Sequence, residues 1–427
     1  MTNSDTNANT NYDVIVIGGG PAGTTTASLL AQQGWDVALF EKTEHPRFHI
    51  GESLLPMSMP LLKKLGVYDQ IESIGQRKLG ASFFSETHDQ HKSYLFKNSL
   101  TKDTPHAFQV KRASFDATLF HACKKHGVSC FENTQVTHCE LNAEKPTITV
   151  LHKIKSKDNT VITKEKIYQS RFIIDASGRD TFMASKYKIK QANPKHRSAA
   201  IFAHFSSATE FPELSSGNIG VYWFKHGWCW LIPFSDGTVS VGAVCSPEYL
   251  KTRRGNLDQF LRDTIKLCPK LTTHLNTATL INQAQATGNY SYLSSKIYGK
   301  NYLAVGDAFG FVDPVFSSGV HIALRSAFKA AETIDICLKS PKQQEQALKS
   351  YSKFVQRGIK GFAWMIYHML SPSFQHLFMN SKNTFRVEEA IISILSGDVF
   401  DNTQVRSRLF LFQCFYHIHK LFHTLKR

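Results

Sequence analysis

Residues Asp13–Ile17 (DVIVI) form a short run, apolar after its first residue, between a polar stretch and the glycines Gly18, Gly19 and Gly20. A run of that length fits a short strand. An alanine-rich stretch then reaches Gln33, Gly34 closes it, and Asp36–Phe40 is apolar again. The pattern predicts strand, helix and strand within about thirty residues. Thr147–Ile154 and Val161–Ile167 have strand composition around a polar turn, Ser156–Asn159 (SKDN). Ile201–Phe205, Gly220–Phe234 and Thr238–Val244 predict strands of a second sheet. Beyond residue 330 the pattern is helical and rich in Phe, His and Leu. There, Phe362–Leu370 and Leu409–Leu425 are amphipathic and are read as faces that pack on the main body rather than as membrane attachments.

The turn after the first strand carries Gly18, Gly20 and Gly23, a GxGxxG set directly between strand and helix. That context separates a dinucleotide fingerprint from an isolated glycine turn. Gly18 permits the tight turn, Gly20 lets the backbone approach a pyrophosphate, and Gly23 lets helix and strand pack closely. The helix start offers free N–H groups and a positive dipole end to phosphate. Glu41 closes the second strand, where a carboxylate binds ribose hydroxyls. NAD and FAD share this fingerprint, so at this point it specifies only an ADP moiety.

At 427 residues with 42% hydrophobic and 20% charged positions, the chain has the makings of a globular protein with one large unit or two coupled domains. No apolar run reaches about 18 residues, so no membrane span is expected. The start, MTNSDTNANTNYD, lacks the apolar core of a signal peptide, and a cytoplasmic protein is expected. The eight cysteines form no CxxC, so no metal site is read and reduced thiols are expected. The net charge of +16 exceeds what cofactor phosphates need. It is either a solvated basic surface or an attraction for an acidic protein partner, nucleic acid or anionic lipid; no nucleic-acid motif accompanies it.

Three further runs carry a family resemblance. YLAVGDAFGFVDPVFSSGV (Tyr302–Val320) resembles the second flavin motif of the para-hydroxybenzoate-hydroxylase-like flavoproteins. FIIDASGRD (Phe172–Asp180) resembles their intermediate glycine motif, and VKRASFDATL (Val110–Leu119) their flavin-contacting arginine segment. The resemblance implies an α/β fold: a Rossmann-type FAD-binding domain, a β-sheet substrate domain and a helical C-terminal region. The implied boundaries are a disordered tail over 1–12, a unit over 13–330 interleaved with the substrate domain (roughly 90–110 and 190–290), and helices over 331–427. It implies that Asp307 bonds the ribityl chain and that Arg112 contacts the flavin. Ala22, Lys42, Arg47 and Val320 complete the expected FAD contacts.

GWCWLIPF (Gly227–Phe234), QRKLGASFF (Gln76–Phe84) and GESLLP (Gly51–Pro56) resemble the flavin-dependent halogenases, above all the smaller members that act on pyrrole or phenol rings. Flavin hydroxylases and geranylgeranyl reductases share parts of this scaffold and stay open as alternatives. The resemblance implies that reduced FAD and O2 drive oxidation of chloride or bromide. Lys78 matches the catalytic lysine, which holds the resulting oxidant beside one carbon of the substrate. Trp228 and Trp230 match a barrier that keeps the substrate from the flavin, and Ser318 and Gly319 match a backbone halide site. Read without the family, the two indoles are core aromatics, and Ser317 and Ser318 are helix caps. One departure stands out: Phe316 occupies the place where tryptophan halogenases carry Glu before their Ser/Thr-Gly pair. That argues against free tryptophan and suits a more activated ring. A single nucleotide fingerprint implies a separate flavin reductase as partner. The basic charge adds an acyl or peptidyl carrier protein bearing the substrate. The helical C-terminal region either docks that carrier or roofs the pocket.

Overall fold

In the computed structural model the first apolar run lies at the centre of a sheet, with Val14 and Val16 in one buried cluster and Ile15 and Ile17 in another. The structure describes residues 10–85, 90–141, 145–155, 161–193, 197–206, 214, 217–288 and 291–425. Strand β1 (Asn11–Ile17) begins earlier than expected: Asn11 and Tyr12, counted with a disordered tail, pair with Gln169 and Ser170. Residues 1–9 of that tail, and the SKDN turn, lie outside the described residues. Helix α1 (Pro21–Gln32) follows, and Gly34, at φ +90, turns the chain back into β2 (Val37–Phe40). Only glycine enters that left-handed region without a steric penalty.

β1 is parallel to β2 on one side and to the strand Val161–Asp175 on the other. Tyr302–Ala304 and Ser129–Phe131 extend the parallel set outward. The strand expected over Val161–Ile167 runs on to Asp175, so it serves two neighbours. Its second half lies beside β1, while its first half pairs antiparallel with Thr147–Lys155.

Among the described residues the second sheet has seven strands. The stretch expected over Gly220–Phe234 is a hairpin, Ile219–Phe224 and Gly227–Pro233, turned at Lys225 and His226. Alternation along Gly227–Pro233 sends Trp228 and Trp230 to the main core, and Cys229 and Leu231 to a second cluster with Leu261 and Leu271. Gly80–Ser85 joins parallel to Ile219–Phe224; Lys78, two residues upstream, ends the short strand Gln76–Lys78, which pairs antiparallel with Ala107–Gln109.

Helices follow at Ser318–Lys339, Gln344–His368, Pro372–Met379, Val387–Leu395 and Thr403–Leu425. Phe362, Met365, Ile366 and Met369 are buried, as the packing reading of that segment requires. The last helix differs. Its Phe412 and Tyr416 are buried, yet Phe410, Ile418, Leu421 and Phe422 stand in solvent. Among the described residues no helix is long and apolar enough to cross a membrane.

Candidate active site

The glycine turn is built by exclusion. A Cβ on Gly18 would lie 2.4 Å from the Ala176 carbonyl oxygen, and one on Gly23 would lie 1.9 Å from the Gly18 carbonyl oxygen. These two glycines therefore seat α1 against β1 and against the strand that ends at Asp175. A Cβ on Gly20 would meet only the Arg47 guanidinium, at 3.8 Å. Space is therefore left over Gly20, and it opens on a cavity of about 1400 Å³. That exceeds the range of roughly 300–1,000 Å³ for pockets that hold a single small ligand, and suits a dinucleotide.

Glu41 is buried beside this turn. Its Oε2 accepts the Gly19 N–H at 2.8 Å, and its Oε1 accepts the Thr43 hydroxyl at 2.7 Å. Burial pushes its carboxyl up, but the Arg47 guanidinium, at 3.6 Å, and the hydrogen bonds from Thr43 and Gly19 outweigh it and hold the group below its ordinary range. Arg47 also reaches Asp116 at 3.1 Å. Asp116 in turn takes Arg112 in a fork, Nε at 2.8 Å and Nη2 at 3.0 Å, while Arg112 Nη1 donates to the Ile50 carbonyl at 2.9 Å. Burial raises the Asp116 carboxyl, and the two guanidiniums more than reverse it. Lys42 pairs with Asp180 at the exposed rim. Asp307 lines the cavity wall, where burial lifts its carboxyl to about 6 against the pull of Arg112 and Arg179.

Of the residues expected at the flavin, Gly18, Gly20, Ala22, Glu41, Lys42, Arg47, Arg112, Asp307 and Val320 line this one cavity; Gly23 packs behind it. Trp228 and Trp230 line it as well, their ring centroids 5.8 Å apart. They are also buried, as the reading of these indoles as core aromatics expects. Trp230 fits because its cross-strand partner is Gly242, where a Cβ would lie 2.3 Å from the indole. The helix Ser318–Lys339 begins at the cavity: Ser317 and Gly319 line it, whereas Ser318 is buried and does not. Ser317 holds φ +54 and makes no side-chain cap bond to the helix, so the cap reading of that residue fails. Phe316 is buried in the core.

Lys78 does not line the cavity. It is 1% exposed, with Nζ donating to Ser53 Oγ at 2.8 Å and to the Leu54 carbonyl at 3.1 Å, and lying 5.3 Å from the centre of the Phe96 ring. These partners carry no charge. Burial therefore lowers the amine to about 7. Ser53 itself lines the cavity, so one hydroxyl links the buried amine to it.

Several of these neighbours escaped sequence reasoning. Asp116 had a local signal, an acidic residue four positions after Arg112 on one helix. Ser53 and Glu52 sit inside the GESLLP run without a role attached. Glu52 is 1% exposed, and His204 Nε2 lies 3.0 Å from its Oε1. That contact joins residues 152 positions apart, and no local pattern announces it. The scattered cysteines also meet: Cys229 and Cys268 approach to 3.8 Å between sulfurs, and Cys123 and Cys130 to 3.9 Å.

Residues 11–358 match the FAD binding domain family, and FAD is the cofactor that this cradle fits. Over 414 residues the chain is 31% identical to a flavin-dependent halogenase of Penicillium aethiopicum, covering 91% of this chain and 74% of the relative. The chain belongs to the flavin-dependent halogenases. It is 35% identical over 354 residues to a tryptophan 2-halogenase of Chondromyces crocatus, covering 82% of this chain and 65% of that relative's length. It is 28% identical to a 1H-pyrrole-2-carbonyl-[peptidyl-carrier protein] chlorinase of Pseudomonas fluorescens, covering 92% and 91% of the two chains. The solved structure of the myxobacterial chondrochloren halogenase superposes with a TM-score of 0.77 at 27% identity, covering 96% of each chain.

Proposed function

We propose that this enzyme uses reduced FAD, O2 and chloride or bromide to halogenate an electron-rich ring, a pyrrolyl group carried on an acyl or peptidyl carrier protein. The observation that carries the reading is Lys78: a buried amine with no carboxylate partner among the described residues, one hydroxyl away from the flavin cavity. Bound reduced FAD, with O2, supplies the oxidising equivalents that convert halide to an electrophilic halogen. The protein does the rest. At the start of the helix Ser318–Lys339, the backbone N–H groups of Ser318 and Gly319 hold the halide. Trp228 and Trp230 fill the cavity wall and keep the organic ring out. Ser53 and the Leu54 carbonyl aim the Lys78 amine. An amine near 7 exists in both protonation states at neutral pH. As ammonium it donates a hydrogen bond to hypohalous acid; as free amine it takes the halogen and releases water. Either way the halogen is held beside one carbon, which is an effect of orientation.

The carrier-bound substrate rests on the pyrrolyl chlorinase relative, on Phe316 and on the basic charge. A separate flavin reductase would supply the reduced cofactor. The tryptophan 2-halogenase relative makes free tryptophan an arm of the test, and a free phenol is another. The test combines the protein with FAD, a flavin reductase, NADH, O2 and each halide, and weighs the products by mass spectrometry. Pyrrolyl-carrier protein, free pyrrole-2-carboxylate, a free phenol and tryptophan are compared at two salt concentrations. The proposal expects turnover of the carrier-bound ring alone, slowing as salt screens the encounter. Efficient turnover of a free ring, with none of the carrier-bound one, overturns the carrier assignment. Oxygen insertion without halogen overturns the reaction class.

A further inference from the structure

The final helix, Thr403–Leu425, has two apolar sides, and the fold uses one. Val405, Phe412 and Tyr416 are buried on the inner side. Phe410, Phe415, Ile418, Leu421 and Phe422 are 64%, 37%, 53%, 60% and 61% exposed. At 3.6 residues per turn these five fall within one arc of about 140°, opposite the buried residues. From Phe410 to Phe422 the arc runs about 18 Å along the axis. A stripe of this size on a monomer's surface marks an interaction site.

Charge selects the occupant. No Asp or Glu occurs from Asn402 to Arg427, whereas Arg406, Arg408, Lys420, Lys426 and Arg427 do. On the projection, Arg406 borders the apolar arc on one side and Arg408 on the other. A second copy of the chain would bring these cations against their own kind, with no carboxylate on the helix to answer them. A folded acidic protein would need a groove for a convex ridge of Phe, Ile and Leu. An anionic bilayer surface meets both demands: acyl chains receive the ridge, and headgroup phosphates meet the arginines.

We propose that the last helix lies in the interface of an anionic membrane and holds the enzyme at its surface. This is peripheral docking, not a span. The test is flotation of the full-length protein with vesicles of phosphatidylcholine, with and without phosphatidylglycerol. The wild type is expected to float with the anionic vesicles and to be released by salt. F410S/F422S is expected to bind at least roughly tenfold more weakly, because it removes two exposed rings. R406Q/R408Q is expected to lose the preference for phosphatidylglycerol. Retained FAD binding in both variants shows that the fold is intact. Absence of wild-type binding to anionic vesicles overturns the proposal. So does a dimer in solution that F410S/F422S dissolves, or a raised KM for a carrier-bound substrate in these variants without vesicle binding.

Discussion

Arg112 and Lys78 are two buried cations that the fold treats in opposite ways. Arg112 has all three nitrogens engaged, with Asp116 in a fork and the Ile50 carbonyl on the remaining one. Lys78 receives a hydroxyl, a carbonyl and the face of a ring. A guanidinium filled by a buried carboxylate is an anchor, and removing either partner strands the other's charge. An amine left with neutral partners stays chemically available, and burial brings its proton into the range where it is exchanged near pH 7. Burial alone does not set Lys78 apart from Arg112; burial without a counter-charge does.

The largest expected effect tests the anchor. Asp116→Ala strands Arg112, leaves Arg47 with Glu41 alone, and is expected to destabilise the fold by about 3–5 kcal/mol, read by chemical denaturation. An effect below about 1 kcal/mol would mean that the fork contributes little and that the contrast with Lys78 is empty. Next comes Gly20→Val, which fills the space over the turn while leaving both cations in place. FAD affinity is expected to fall roughly a hundredfold, by fluorescence titration, with the unfolding transition unchanged. Unaltered affinity would remove this turn from the cofactor site.

Much of the anchor could be read along the chain, and little of the surroundings of the buried amine. Gly18 and Gly23 announce themselves because each excludes a Cβ within a strand-turn-helix of a few residues. Arg112 and Asp116 are one helical turn apart. Lys78 looked like any basic residue outside its family motif, since its burial comes from Ser53, Leu54 and Phe96, on segments that only the tertiary fold assembles. Trp230 needed Gly242 in the next strand, and Glu52 needed His204 from the second sheet. The last helix was legible as amphipathic, but its period did not reveal that both of its sides are apolar and that one is left in solvent.

Smaller effects sharpen the account of Lys78. Lys78→Met replaces a buried amine with an apolar chain of similar length, and is expected to change stability by less than about 1 kcal/mol at pH 7. The folded chain releases the Lys78 proton near 7, whereas the unfolded chain keeps it until about 10.5. Between those values the unfolded state binds more protons, so the wild type gains stability relative to Lys78→Met as pH rises from 7 toward 10.5. Parallel pH profiles of stability for the two proteins would contradict a depressed amine.

The most direct measurement is halogenation by Lys78→Met, with FAD binding and halide consumption followed in the same preparation. The account predicts unchanged FAD affinity, continued oxidation of halide to free hypohalous acid, and a loss of substrate halogenation of about a hundredfold or more. Wild-type halogenation by Lys78→Met would contradict it and remove this lysine from the chemistry.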